Sequence, residues 1–454
     1  MINESKRTVD QTRLWIIIAC IALIISIAVG AALLIGKKET LPKDELSANI
    51  EGTDVSGCSS VADAFSKYGF AFNKRQVRDV ELYYTYYYYK SLPDVATVAK
   101  MSAQLFVEKL YDTIDMTDKN AVTTGLLKCY TASVGDPYSY YYTPEEYEEY
   151  LSSLEGDTTK VGIGVIATSD YEKVSVKITA VLPGSAAELA GVKKGDYIVA
   201  VDGVRLSDIG IDSLMQLVAG EIGTTVELTV LRNGEELTLT ATRIEIPDVT
   251  VTYELLDGNI AYIQVIQFKA NTPKQFKSAV DRAIGSGAQG FIFDMRSNPG
   301  GLLDAVVEMI DYVAPDGQRI ASFTMGKSSP TVFIAQDGHS IDLPITVLCN
   351  GGTASAGELF TAAMRDYGND GILDISIVGE TTYKKGVMQT SYPLSGGYAL
   401  KLTVAFYNPP CDINYDGIGV VPNYPVVNEG ENDDQLDAAV SEILRIITEN
   451  GSGL

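Results

Sequence analysis

The chain has 454 residues, enough for two or three domains that each bury a core. Its formal net charge of −24 argues against a nucleic-acid partner. The only histidine is His339, so a histidine-based zinc cluster is excluded, and none of the five cysteines forms a Cys-x-x-Cys pair. No metal and no cofactor is expected.

Residues 1–13 are polar and charged, and Leu14–Gly36 is an uncharged apolar run long enough to cross a bilayer as a helix. The run is too long for a signal peptide, and no clean small-x-small site precedes its polar flank. The expectation is a cytoplasmic tail (1–13), an uncleaved transmembrane anchor (14–36), and a large acidic part outside the cytoplasm at the cell membrane. Lys6, Arg7 and Arg13 before the span nearly balance Lys37, Lys38 and Lys43 after it, so charge alone does not orient it.

Residues 37–94 form an extracytoplasmic segment without assignment. Val61–Tyr68 suits a short helix. The run Tyr83–Tyr89 reads as a strand or helix edge packing aromatics, with a membrane-interface or partner-binding patch as the sharper reading. Residues 95–157 look helical: Met101, Leu105, Phe106 and Leu110 follow helix spacing. Thr143-Pro144-Glu145-Glu146 supplies an N-cap, a proline at the first helical position and early acids.

Residues 158–243 change to short strands separated by turns such as Asp202-Gly203 and Asn233-Gly234, with helical runs at Ser185–Ala190 and Ile211–Ala219. Such a stretch makes a small, partly open β-barrel with two helices. A module of this kind suits strand addition of an extended peptide, its terminal carboxylate held by backbone amides. Val161, Gly162, Ile163, Gly164 and Val165 form a plausible nest followed by an edge strand; the plainer reading is an ordinary glycine turn.

From residue 244 to 454 the chain alternates β and α, which predicts a central sheet flanked by helices. Expected strands are Asn259–Phe268, Gly290–Met295, Pro344–Cys349 and Ile372–Gly379. Expected helices are Pro273–Ile284, Leu302–Val313 and Ala354–Tyr367. Two β runs within Lys384–Asn408 are joined by Ser395-Gly396-Gly397, and Gln435–Thr448 is a closing helix.

Within this region Asn350–Glu358 reads strand, tight turn, helix, with Ser355 near the helix start. Free N–H groups at such a start can hold an oxyanion, although Ser and Thr there are commonly plain N-caps. Asp294–Gly301 is a second strand end running into a glycine turn, a source of another oxyanion donor or simply a loop in which Arg296 pairs with Asp294. With histidine nearly absent, a lysine is the remaining general base, and a lysine serves only when burial lowers its pKa from about 10.4. Lys385, among Tyr383, Val387 and Met388, suits that role, with Gln389 to orient it; a solvated Lys-Lys turn is the bland alternative. His339, in a turn, reads as a solvated loop histidine, and a Ser-His enzyme would have to use it. Asp412-x-Asn414-x-Asp416-Gly417 imitates the start of a calcium loop, but position 12 is Asn423 and nearby prolines oppose a flanking helix. Cys58, Cys129, Cys349 and Cys411 would be free to pair in an oxidising compartment, on a spacing that is not diagnostic.

The order of motifs is specific: Ser133–Ser139, the small β module, Asn298-Pro299-Gly300-Gly301, Ala354-Ser355-Ala356-Gly357-Glu358, then Lys385-Gly386-x-x-Gln389. It resembles the carboxyl-terminal processing peptidases, the tail-specific serine proteases of family S41, from about residue 95 to the C-terminus. The resemblance implies a multi-domain α/β and β protein. After the transmembrane helix would come a helical region, a PDZ-like β-barrel module and an α/β (ClpP/crotonase-like) serine protease core. It implies Ser355 as nucleophile, Lys385 as general base and Gln389 as its partner. The amides of Ala356 and Gly300 would form the oxyanion hole, with Gly301 the fallback for Gly300. Residues 161–165 match the PDZ carboxylate loop. Partners would be proteins with unstructured C-termini, and a homo-oligomer is compatible with the resemblance. Lys384 stands where the family usually has Gly, Gly357 where Ser is common, and Arg365–Val378 is longer than usual. The competing reading is a catalytically silent PDZ scaffold that binds C-termini at the membrane.

Overall fold

The computed structural model describes residues 40–156, 160–170, 174–182, 184–210, 214–325, 328–429 and 432–451. The expected anchor at 14–36 lies outside the described residues. Among the described residues no helix is long and apolar enough to cross a membrane. The chain divides into two compact units.

The first unit comprises residues 40–85 and 92–141 and is helical. Its helices are α1 (Lys43–Gly52), α2 (Val61–Tyr68), α3 (Lys74–Tyr87), α4 (Val95–Lys109) and α5 (Lys119–Ser133). Local chemistry sets their ends. Ser60, Asp94 and Asp118 accept the free N–H groups of the first turns, and Gly69 ends α2 in the left-handed region. Phe65, Phe106, Val122 and Leu126 are buried between them. The tyrosine run is divided between the units and is neither a strand nor wholly exposed. Tyr84, on the inner face of α3, packs edge-on to Tyr130 at 5.2 Å.

The second unit, residues 86–91 with 142–454, holds Tyr86–Tyr89 of the run. Tyr87 stacks on Tyr392 at 5.1 Å, and Tyr89 meets Phe406 at 5.0 Å. Helix α6 (Pro144–Glu155) opens with a complete capping box between Thr143 and Glu146, as its sequence predicts.

A β module follows: β1 (Lys160–Gly162), β2 (Val165–Asp170), β3 (Ser175–Val181), β4 (Tyr197–Val201), β5 (Val204–Arg205), β6 (Thr225–Arg232), β7 (Glu235–Thr242) and β8 (Ile244–Ile246). The sheet order is β2-β3-β4-β6-β7, with β5 on β4 and a separate β1–β8 pair. Helices α7 (Ala186–Leu189), α8 (Leu206–Ile209) and α9 (Leu214–Val218) accompany it. Ile178, Ile198, Leu228 and Val230 fill its own core.

The last region is built on a six-stranded sheet, β9 (Val251–Leu256), β10 (Ile260–Val265), β11 (Gly290–Asp294), β14 (Ile345–Cys349), β15 (Ile375–Gly379) and β18 (Tyr424–Pro425), paired in that order. Only β9 runs antiparallel to its neighbour. β11 and β14 are buried along their whole length because helices cover both faces, which is why they read as unbroken apolar runs. Helices α10 (Thr272–Gly285), α11 (Leu303–Val313) and α12 (Ala356–Asn369) share one face, where Phe276, Phe293 and Phe360 interlock. Each such fully buried ring contributes roughly 1.5–3 kcal/mol. Helix α13 (Asp434–Gly451) covers the other face through Ala439 and Ile443. A smaller antiparallel sheet pairs β16 (Val387–Pro393) with β17 (Ala399–Asn408), β17 with β12 (Arg319–Phe323), and β12 with β13 (Thr331–Ile334). The four described cysteines are free thiols, not disulfides.

Candidate active site

The parallel strands β11 and β14 end side by side, so the loops that leave them are neighbours. Thr353 Oγ1 donates to Met295 O at 2.8 Å, Ala354 N to Asn298 O at 2.8 Å, and Ser297 N to Asn350 Oδ1 at 2.8 Å. These bonds knit the two loops together. Ser355 emerges from them at φ 54°, ψ −116°, a region costing a non-glycine residue about 1–3 kcal/mol. Helix α12 therefore starts at Ala356, two residues later than apolar spacing predicts. The sharp elbow lifts the Ser355 side chain into a cavity of about 300 Å³.

Lys385 and Gln389 line the same cavity, together with Ala356, Gly300 and Gly301. Of the two adjacent lysines it is Lys385 that lines it; Lys384 does not, and its Cγ lies beside Gly419. Gln389 Nε2 donates to Thr403 Oγ1 at 3.3 Å and to Val387 O at 3.4 Å, both at the long end of the range. Leu302, Leu359, Met388 and Tyr407 give the cavity its apolar walls, and no carboxylate lines it. Tyr407 lines the same cavity as Ser355, and its hydroxyl donates to Lys385 O at 3.1 Å. Burial raises the phenol pKa of Tyr407, so it remains a neutral donor.

The oxyanion donors divide unequally. Ala356 N–H lies in the first turn of α12, where no helical acceptor exists. A Cβ on Gly300 would sit 2.8 Å from Ser355 Cβ and 3.0 Å from Ala356 N, so only glycine allows this approach. The N–H of Gly300, however, already donates to Asn298 Oδ1 at 2.8 Å. Gly300 O accepts from Phe268 N at 3.0 Å. In a trans peptide the following N–H points the opposite way, so Gly301 N–H is directed away from Phe268. The second glycine, not the first, thus has its amide unengaged by its own loop.

Glu358, one turn into α12, is fully buried and was not singled out by the sequence reading. Its Oε2 accepts from Ser355 N at 3.0 Å and Lys385 N at 2.8 Å. Its Oε1 accepts from Lys384 N at 2.7 Å and Thr382 Oγ1 at 2.5 Å. One carboxylate therefore fixes the elbow and the lysine loop to each other. Its spacing three residues after Ser355 was the available signal, but that reads only as a capping partner.

Arg296 does pair with Asp294, as the plain loop reading has it, and also with Asp433 before α13. Burial works against its charge, but the two carboxylates outweigh burial and hold the guanidinium above its usual range. His339 is half-buried, not solvated. Its ring stacks on Tyr312 at 3.7 Å, its Nδ1 meets Tyr312 O, and it does not line the Ser355 cavity. In the β module, Ile163 O and Gly164 O accept from Ala187 N at 2.8 Å and Leu182 N at 3.0 Å. Ile163 is buried, Gly162 ends β1, Val161 is exposed, and Val165 pairs with Val181. A larger cavity, about 630 Å³, lies among β3, β8 and β9; of its lining, Ser185 caps α7 by accepting from Glu188 N at 3.2 Å, and Lys194 pairs with Glu254 at 3.7 Å.

Residues 259–426 match Peptidase family S41 as a sequence family, and residues 177–232 match the PDZ domain. This part of the chain belongs to peptidase family S41. The carboxy-terminal processing protease CtpA of Bacillus subtilis (strain 168) is 32% identical over 295 residues, covering 65% of this chain and 61% of that protein. A CtpA-like protein of Staphylococcus haemolyticus (strain JCSC1435) is also 32% identical over 295 residues, covering 64% and 58%. The chain thus spans about three fifths of the length of these relatives. Among solved structures, a Bacteroides fragilis NCTC 9343 protein assigned to S41 shares the S41 fold at a TM-score of 0.52 and 18% identity, over 79% of this chain and 99% of that one.

Proposed function

We propose that the chain is a serine endopeptidase that recognises protein C-termini through its PDZ domain and cleaves by a Ser/Lys mechanism. The observation that carries this reading is the strained Ser355 elbow facing Lys385 across one small cavity. Ser355 Oγ attacks the carbonyl carbon of the scissile bond while neutral Lys385 Nζ takes its proton. The N–H groups of Ala356 and Gly301 bind the oxyanion that develops. Collapse breaks the C–N bond, and the Lys385 ammonium returns the proton to the leaving amine. Water then attacks the acyl-enzyme, again with Lys385 as base, and frees Ser355. Gln389 holds the strand that follows the base. Residues 161–165 receive the substrate carboxylate, and residues 14–36 anchor the chain in the cell membrane with the catalytic part outside the cytoplasm.

The test is proteolysis of an unfolded protein with an apolar C-terminus by the full chain in detergent. Ser355→Ala and Lys385→Ala should abolish cleavage, and His339→Ala should leave it intact. Tail binding without cleavage in the wild type, after activators had been sought, would instead favour the scaffold. Loss of activity in His339→Ala would support a Ser-His enzyme.

A further inference from the structure

The sequence Asp412-x-Asn414-x-Asp416-Gly417 has the look of a cation loop, yet its groups are turned onto the backbone that carries Lys385. Asp416 Oδ1 accepts from Gly386 N at 3.0 Å. Asn414 Nδ2 donates to Gly386 O at 2.9 Å and to Tyr407 O at 2.7 Å, and Asn414 Oδ1 accepts from Asp416 N at 2.8 Å. Gly417 N donates to Lys384 O at 3.0 Å. Asp412, at the loop's start, is held by Arg319 at 2.7 Å and by Asn408 at 2.9 Å.

From the other side Glu358 takes the N–H groups of Lys384 and Lys385, and the Tyr407 hydroxyl donates to Lys385 O. Every backbone donor and acceptor of Lys384, Lys385 and Gly386 is therefore engaged, and the Asp412–Gly417 loop holds three of those groups. The fit is close. A Cβ on Gly386 would lie 2.7 Å from Asp416 N and 2.9 Å from Asn414 Oδ1. A peptide held from both sides cannot rotate, so the Cα of Lys385 keeps one position relative to Ser355.

We propose that Asn414 and Asp416 are positioning residues for the Lys385 base, and that the Asp412–Gly417 loop is a clamp on the base rather than a cation site. This rests on Lys385 being the base. A side chain as long as lysine magnifies a small rotation at its Cα, and a misplacement of about 1 Å in a reacting group can cost about 100-fold in rate. Asp416 is the better probe because it is only half-buried and its loss leaves no large void.

The experiment measures kcat and KM for an unfolded-tail peptide with the full chain, comparing wild type, Asp416→Ala, Asp416→Asn and Lys385→Ala, each with added calcium and with EDTA. Asp416→Ala removes the acceptor for Gly386 N, and kcat should fall about 10- to 100-fold with KM within about threefold. Asp416→Asn keeps an oxygen acceptor and should recover most of the loss. Calcium and EDTA should change nothing. The proposal is overturned if Asp416→Ala matches wild type while Lys385→Ala is inactive. It is overturned too if alanine and asparagine are equally impaired, or if wild-type activity follows calcium. An active Lys385→Ala would instead overturn the assignment of the base on which the clamp depends.

Discussion

Glu358→Gln exchanges one oxygen for an amide nitrogen at a buried carboxylate that accepts four hydrogen bonds. The glutamine can keep its oxygen on the side that serves Ser355 N and Lys385 N. Its NH₂ then faces the Thr382 hydroxyl and the N–H of Lys384. The hydroxyl can turn and accept, although it already accepts from Val420 N at 2.7 Å. Lys384 N–H has no such freedom and is left facing a donor. One orphaned buried donor costs about 1–3 kcal/mol. The opposite orientation orphans two peptide donors, those of Ser355 and Lys385, and costs about twice as much. Removing a negative charge from the first turn of α12 adds about 0.3–1 kcal/mol. The expected destabilisation is thus about 1–4 kcal/mol, concentrated between the elbow and the lysine loop. Hydrogen exchange of residues 380–389 should quicken, and kcat should fall more than tenfold with little change in KM. Wild-type exchange and wild-type kcat in Glu358→Gln would refute the view that this carboxylate holds nucleophile and base together.

Two further outcomes follow from local geometry. Lys384 sits at φ 85°, so Lys384→Gly relieves strain while keeping the backbone bond to Glu358. It should cleave within about threefold of wild type and melt no lower, and a melting temperature several degrees lower would contradict the strain argument. In α13 the bond from Arg445, with help from Ser376, holds the Glu442 carboxyl down at about 2, from an ordinary 4.5. A depressed carboxyl stabilises the fold above its unfolded pKa and loses that contribution as pH falls through the folded value. Protease protection of α13 should therefore weaken between about pH 4.5 and 2. Glu442→Gln should flatten this profile, and an unchanged profile in that variant would place the acid sensitivity elsewhere.

Much of the site is visible in the chain itself because strand-end loops are written in local pattern. The apolar run Pro344–Cys349 followed by small residues and Ser355 reads as a buried strand ending in a tight turn. The order of its partners pointed to the same chemistry. What escaped the sequence depends on pairing across distance. Nothing local says that Glu358 caps its own helix and also collects the peptides of Lys384 and Lys385. Nor could spacing reveal that Asn298 claims the N–H of Gly300 and turns attention to Gly301. Asp412, Asn414 and Asp416 imitate a cation loop because the residue types that ligate calcium are also those that bind backbone amides, which is what Asn414 and Asp416 do. The tyrosine run was ambiguous because period alone does not show that Tyr84 faces a helical core while Tyr87 and Tyr89 pack on β strands.

The left-handed turn at Ser355 has a consequence for how such a sequence drifts. Glycine adopts that conformation without penalty, so Ser355→Gly would relieve about 1–3 kcal/mol of strain against about 0.5–1 kcal/mol of added chain entropy. An inert descendant would then be sturdier than its working ancestor. Lineages that no longer need the hydroxyl should lose it readily, through a change that folding alone favours. On the proposed Ser/Lys reading, an intact serine at this strained position is retained for use rather than for endurance.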